Sequence, residues 1–243
     1  MSASYDEIGV NYSDLRQPDP RIETMVWRAL GTAETVLNVG AGAGSDEPED
    51  RIVTAVEPSA EMNRQRRRPA AEVVQGVAED LPFEDNAFDA SMAILTIHHW
   101  TDQSQGLREM RRVTRGPVVI FTFDPSARGF WLGDYIPEIY TIDDTQMPAM
   151  ARYEEWLGPV KIAPVPIPHD CRDGFLCAYW RRPRAYFDPR LRKAISSFWK
   201  IGDVSAGLNR LASDLDSGVW AKKYAAILEY DAYDFGYRLV TSA

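Results

Sequence analysis

Four short apolar runs rich in valine and isoleucine punctuate the first half of the chain: Thr35 to Val39, Ile52 to Val56, Phe88 to Ile97 and Val118 to Phe123. Runs without polar alternation read as strands buried on both faces, as in a parallel sheet with helices above and below. Helical stripes lie between them. Ile22, Met25, Val26 and Leu30 share one helical face and stop at Gly31, a residue suited to a C-terminal cap. Leu107, Met110 and Val113 make a narrower stripe after the capping residues Thr101 and Asp102. This alternation, with right-handed crossovers, predicts an α/β fold built on a doubly wound sheet. Ligands on such sheets sit in the crevice outside the carboxyl ends of the strands.

The second half reads differently. From Pro125 to about Pro159 the chain is aromatic and irregular, with Phe130, Trp131, Tyr135, Tyr140 and Trp156. In Val160 to Pro168, prolines 164, 166 and 168 leave one side of an extended segment without N–H donors, while Ala163, Val165 and Ile167 keep theirs. That pattern suits an edge strand, and a polyproline-type loop is the alternative. Three helical stripes follow: Leu191, Ile195, Phe198 and Trp199; Val204, Leu208, Leu211 and Leu215; Trp220, Tyr224, Ile227 and Leu228. Tyr237 to Thr241 reads as a last strand. The organisation expected is one domain over residues 1–243. It comprises an N-terminal lid segment (1–30), a ligand-binding core (35–124), helical and aromatic lid insertions (125–235) and the last strand (236–243).

The first strand runs into Gly40-Ala41-Gly42-Ala43-Gly44. Glycines here allow a sharp turn and let a ligand lie on bare backbone; a tight turn with no ligand is the plainer reading. A dinucleotide fingerprint needs a third glycine where this chain has Ser45, and a helix opening toward the pyrophosphate. Instead Asp46, Glu47, Glu49 and Asp50 follow, interrupted by Pro48. Those acids repel phosphate and suit a cationic ligand such as a sulfonium. A nicotinamide oxidoreductase is correspondingly disfavoured. Glu57, closing the second strand, is placed to accept hydrogen bonds from both hydroxyls of a ribose, or else is a surface glutamate. Ser59 is placed to cap the next helix. In Gly76 to Phe83, Asp80 is placed to accept an adenine amino group, with Ala78 and Leu81 against the ring.

Composition narrows the partners. The 243 residues are 45% hydrophobic and 26% charged, enough for one large α/β domain or a domain with a small lid. The net charge of −9 disfavours a nucleic-acid partner. No run reaches the roughly 20 apolar residues of a membrane helix, and no signal peptide is apparent at Met1 to Glu7. With two cysteines, Cys171 and Cys177, a disulfide framework is not supported and a cytoplasmic location is expected.

As an ordered set, these elements resemble the class I S-adenosylmethionine-dependent methyltransferases, in particular the type 11 group. Val36 to Gly44, Val53 to Ser59 and Gly76 to Phe83 look like its first three motifs. Phe88 to Ala93 with Ile97-His98-His99-Trp100 looks like the fourth, and Glu109 to Val113 with Val118 to Asp124 matches the following helix and strand. The opening Tyr5-Asp6, Tyr12 and Arg16 resembles the lid segment that often precedes the core. The resemblance covers about residues 5 to 125. It implies a Rossmann-like, mostly parallel seven-stranded sheet with an antiparallel last strand, and S-adenosylmethionine as cofactor. It further implies that Gly40, Ala41 and Gly42 line the methionine half and that Tyr12, Arg16, Pro58 and Ser59 also belong to the cofactor-binding set. Glu57 would hold the ribose, Ala78, Glu79 and Asp80 the adenine, and Leu95 or Thr96 would floor the pocket. The chain departs from the pattern at Asn38, where the family usually has an acid, and between Gly44 and Glu57, where about one helical turn is missing.

Methyl transfer from a sulfonium is an in-line displacement that proximity, alignment and water exclusion can carry. The acceptor expected is a small molecule. His98 and His99, at the end of the fourth strand, are either a general base or packing residues of the cleft. Trp131 and Tyr135 form an aromatic substrate wall or core beneath the insertion. His169, in His169-Asp170-Cys171-Arg172-Asp173-Gly174, is a substrate contact or part of a structural turn; its spacing matches no common zinc pattern, so no metal is expected. The alternative function is a catalytically silent cofactor-binding or interaction protein of the same fold.

Overall fold

A computed structural model describes residues 12–66 and 71–242. A short helix α1 (Tyr12–Leu15) precedes α2 (Pro20–Ala29). In α2, Asp19 caps the N-terminus by accepting from the Arg21 N–H at 3.0 Å, and Pro20 occupies the first turn, where its missing donor costs nothing. Ile22, Val26 and Leu30 bury their side chains in one cluster with Val36, Met92 and Phe121 of the sheet, so α2 covers that face.

The sheet comprises β1 (Thr35–Val39), β2 (Ile52–Val56), β3 (Glu72–Val74), β4 (Ala90–Ile94), β5 (Val118–Phe123), β6 (Val160–Pro164) and β9 (Tyr237–Ser242). Their order is β3-β2-β1-β4-β5-β9-β6. The first five run parallel, and β9 lies antiparallel between β5 and β6. This is the seven-stranded, mostly parallel Rossmann-like sheet with an antiparallel last strand. Burial explains the strand sequences: every residue of β5 is buried. The opposite face is closed by α4 (Gln103–Val113), through Leu107, Met110 and Val113, and by Tyr153 and Trp156 of α6 (Ala151–Leu157). Between β2 and β3 lies α3 (Ala60–Arg64), capped by Ser59, whose Oγ accepts from the Met62 N–H at 3.1 Å.

The segment 125–159 is more regular than its sequence suggests. It holds a 3-10 turn (Trp131–Asp134), α5 (Glu138–Gln146) and α6. The edge-strand reading of Val160 to Pro168 is right for its first part: β6 closes the sheet, and the Val165 N–H reaches the Tyr237 carbonyl at 2.9 Å. Its end leaves the sheet, and β7 (Ile167–Pro168) pairs with β8 (Ala232–Tyr233) instead. The first of the three later stripes is split into α7 (Pro189–Lys193) and α8 (Ser196–Ile201), the second is α9 (Ser205–Asp216), and the third is split into α10 (Val219–Lys223) and α11 (Ala225–Leu228). Among the described residues no helix is long and apolar enough to cross a membrane. Both cysteines are free and buried.

Candidate active site

The loop after β1 turns back at once: the N–H groups of Gly40 and Ala41 donate to the Val56 carbonyl at 2.8 and 3.1 Å. Gly40 and Gly42 have φ of +68° and +53°, backbone conformations that glycine adopts without penalty. A Cβ at Gly40 would stand 2.2 Å from Thr96 Oγ1, whereas a Cβ at Gly42 would meet nothing within 4 Å. The first glycine therefore packs the loop onto the end of β4, and the second presents bare backbone to open space.

Glu57 closes β2 and is 5% exposed. Its Oε2 accepts from the Gly42 N–H at 2.8 Å and its Oε1 from the Ser59 N–H at 2.8 Å. The carboxylate thus joins the glycine loop to the N-terminus of α3. Pro58 is exposed and Ser59 fully buried.

No described helix stands between β1 and β2, a larger departure than the one missing turn that the spacing implied. An ion pair fills the place. Arg66 Nη2 contacts both oxygens of Glu47 at 2.6 Å, with side-chain exposures of 4% and 10%. Arg66 Nη1 also donates to the Gly42 carbonyl at 3.3 Å, and Asn38 Nδ2 donates to Glu47 at 3.2 Å. Trp27 of α2 donates its indole N–H to the Asp46 carbonyl at 3.0 Å, tying the loop to the N-terminal helix.

The third motif anchors neighbours. Ala78 is buried, and a Cβ added at Gly106 of α4 would come within 3.1 Å of it. Glu79 accepts from the backbone N–H groups of Thr101 and Asp102 at 2.7 and 3.0 Å, so its carboxylate fixes the start of α4. Asp80 is exposed.

Leu95 lies at φ +48°, a left-handed conformation costing roughly 1–2 kcal/mol for a residue with a Cβ. Held by its N–H to the Phe121 carbonyl at 2.8 Å, it points the chain from β4 toward Thr96 and a short 3-10 turn, Ile97–His99. Strain of this kind persists where the surroundings over-determine it, often at functional sites. Leu95 borders a cavity of about 60 Å³, whose apolar lining includes Phe123, Phe175 and Tyr237 and whose polar lining includes Arg16, His98 and Asp143. His98, Gln146 and Met147 also line an adjoining, wider cleft of about 460 Å³ between the Trp100 loop and Trp156.

Arg16 is held in a two-point pair with Asp173, at 2.6 and 3.2 Å. His98 Nε2 is 3.4 Å from Ser196 Oγ, while its buried Nδ1 has no partner among the described residues. Removal from bulk water, reinforced by neighbouring His99, pushes the His98 pKa well below the usual histidine value; the same desolvation pushes His99 down to about 3, with Lys200 and Arg16 contributing. Both rings are neutral near pH 7. His99 packs beside His98 with ring centroids 3.9 Å apart, and His98 is the one that lines the cavity.

The other sequence candidates lie elsewhere. Trp131 is 1% exposed, donates its indole N–H to the Trp180 carbonyl at 2.8 Å and packs edge-on to Tyr186 and Trp220. Tyr135 is buried and donates to Asp214 at 2.7 Å. The core role is theirs, and neither borders either cavity. His169 donates its backbone N–H to the Asp231 carbonyl at 2.8 Å and likewise borders neither. Tyr12 begins α1, but its side chain lies outside the described residues, as does Tyr5-Asp6.

Sequence reasoning missed Asp143. On α5 it follows buried Ile139 by one helical turn and precedes cavity-lining Met147 by another. An acid set into an apolar i, i+4 stripe was the available signal.

A doubly wound sheet with bare glycine backbone after β1 and a buried carboxylate after β2 defines a nucleotide-type α/β binding protein. Comparison with known proteins makes this specific. Residues 37–121 match the model of the methyltransferase domain family. A solved structure from Anabaena variabilis, provisionally described as a methyltransferase from an antibiotic biosynthesis pathway, is 33% identical, with a TM-score of 0.88 over 95% of this chain and 100% of that one. A rice (Oryza sativa subsp. japonica) chloroplastic 2-methyl-6-phytyl-1,4-hydroquinone methyltransferase is 26% identical over 63% of this chain, and a Paenarthrobacter aurescens demethylmenaquinone methyltransferase is 29% identical over 56%. The matches span 50% and 59% of the lengths of those two proteins. The chain belongs to the class I S-adenosylmethionine-dependent methyltransferases.

Proposed function

We propose that this protein binds S-adenosylmethionine across Gly40–Gly42 and Glu57 and methylates a small-molecule acceptor seated in the cavity beside Leu95. The observation that carries this reading is the joint at Leu95-Thr96. Thr96 packs on Gly40 of the glycine loop, and its neighbour Leu95 borders the cavity, so the two halves of the site meet within one dipeptide.

The residues present suit that cofactor. Open space over Gly42 admits a ligand against backbone, and the acids after the loop suit a sulfonium better than a phosphate. Glu57 is buried where a ribose would reach it, and its grip on the Gly42 N–H would set the loop beforehand. Arg16, cationic and already oriented by Asp173, would face the carboxylate of the methionine half. When bound, the cofactor supplies an activated methyl group. The chain's own contribution is alignment and water exclusion: Leu95, Phe123, Phe175 and Tyr237 give the acceptor an apolar seat, and neutral His98 at the neck is a hydrogen-bonding partner.

The hydroquinone and menaquinone relatives are named for small-molecule acceptors, which supports the same class here. The catalytically silent alternative drew on Asn38 and on the shortened loop after Gly44; Asn38 donates to Glu47, and the Arg66–Glu47 pair supports the loop, which weakens that case. The test is label transfer. Protein incubated with methyl-labelled S-adenosylmethionine and a metabolite extract is expected to move label into low-molecular-mass products; label remaining wholly on the donor would count against the proposal.

A further inference from the structure

The geometry points to Asp143 as the proton acceptor of the methyl-transfer site, and to an acceptor substrate with a compact apolar body and a single acidic hydroxyl, a phenol or an enol. This rests on the reading of the cavity as the acceptor site. Asp143 is 6% exposed and borders that cavity together with Leu95 and His98. Among the described residues no hydrogen bond or ion pair reaches its carboxylate. Arg128, whose charge acts on it, is engaged with Asp144 at 2.7 Å. A carboxylate removed from water and left without a partner is costly. Here the cost is met by a group that the cavity admits, with its body against Leu95, Phe123 and Phe175 and its polar atom toward Asp143.

The charged and titratable surroundings support the role. Beside Asp143 stand Asp144 and Arg128; Cys177, in a 3-10 turn over Leu176–Tyr179, and Tyr237 of β9 interact with it electrostatically; His98 and Arg16 lie on the same cavity. Lys200 of α8 is bound to Gln146 at 2.7 Å. Burial pushes the carboxyl up to about 7, Arg128 opposing and Asp144 adding, which gives a base matched to neutral pH. His98, with its pKa well below the usual value, is the weaker base of the two. In the step, the acceptor hydroxyl gives its proton to Asp143 as its oxygen bonds to the methyl carbon. The electron pair of the breaking carbon–sulfur bond stays on sulfur, which becomes a neutral thioether, and the proton leaves Asp143 for water.

The test uses the full chain loaded with S-adenosylhomocysteine and p-nitrophenol as the probe, at about pH 8, where the free probe is largely ionised and yellow. Two anions do not share the buried cavity, so wild-type protein is expected to take up about one proton from solution for each probe bound, shared between Asp143 and the probe oxygen. Asp143→Asn and Asp143→Ala are expected to bind S-adenosylhomocysteine with unchanged affinity and to show no proton uptake with the probe. With any phenol that accepts label, wild-type kcat is expected to rise with pH through about 7 and level off, and Asp143→Asn to lose about 10²-fold or more and that rising limb. Equal proton uptake by wild type and variants, or none by wild type that binds S-adenosylhomocysteine, would overturn the assignment of Asp143 and leave the cofactor reading intact. Failure to bind S-adenosylhomocysteine at all would remove the cofactor reading, and this inference with it.

Discussion

Glu57 and Gly42, fifteen positions apart in sequence, are joined by a 2.8 Å hydrogen bond from the Gly42 N–H to Glu57 Oε2. The same carboxylate holds the Ser59 N–H through its other oxygen, so one buried side chain ties two loops that end adjacent strands. Glu57→Ala is expected to weaken S-adenosylmethionine binding by about 1.5–3 kcal/mol, the scale of a hydrogen bond to a charged group. Calorimetric titration measures this directly, and an unchanged dissociation constant would show that Glu57 does not hold the cofactor.

Gly40 and Gly42 differ in what a side chain would meet. Gly40→Ala places a methyl against Thr96 and is expected to lower the melting temperature; adding Thr96→Gly relieves the clash and recovers part of the loss. Gly42→Ala meets open space and costs the fold about 1–2 kcal/mol of left-handed strain, while obstructing the ligand side of the loop. Thermal unfolding of the three variants, paired with cofactor titration, separates packing from binding. Cofactor affinity unchanged in Gly42→Ala would contradict the loop assignment.

The Arg66–Glu47 pair replaces a helix, and both side chains are nearly buried. Removing Arg66 leaves the nearly buried Glu47 carboxylate with the Asn38 amide in place of a cation, so Arg66→Met is expected to destabilise by about 3 kcal/mol. The double variant Arg66→Met with Glu47→Leu is expected to recover most of that. Equal denaturation midpoints for wild type and Arg66→Met would show the pair to be inert.

Asp143 also makes stability depend on pH. Its folded pKa, about 7, lies above the value of roughly 3.9 expected for an unfolded aspartate. The unfolded chain therefore releases this proton first, and the contribution is full below about pH 4 and lost as pH rises through about 7. Wild type is expected to melt progressively lower over that interval relative to Asp143→Asn. Parallel melting curves across the interval would show that Asp143 ionises normally.

The glycine loop and the carboxylate after β2 were legible because their signals are local. Strands β1, β2 and β5 begin and end where their apolar runs do, and glycine and carboxylate follow them directly. The cavity beside Leu95 was less so, because contacts distant in sequence make it. Arg16 meets Asp173, and Leu95 shares a cavity with residues from α5 and β9. Trp131 and Tyr135 read in sequence as either a substrate wall or core, and only the fold shows their polar atoms satisfied by Trp180 and Asp214. Arg16, Leu95 and His98, which border the cavity, were named in the sequence, whereas Asp143 beside them was hidden in a stretch read as irregular.

The most direct test of the account is isothermal titration of the intact protein with S-adenosylmethionine and with S-adenosylhomocysteine, alongside NAD as the nucleotide control. Saturable one-site binding of both sulfur ligands, weakened in Glu57→Ala and absent for NAD, is the predicted result. No heat with either sulfur ligand, or binding of NAD in their place, would contradict it.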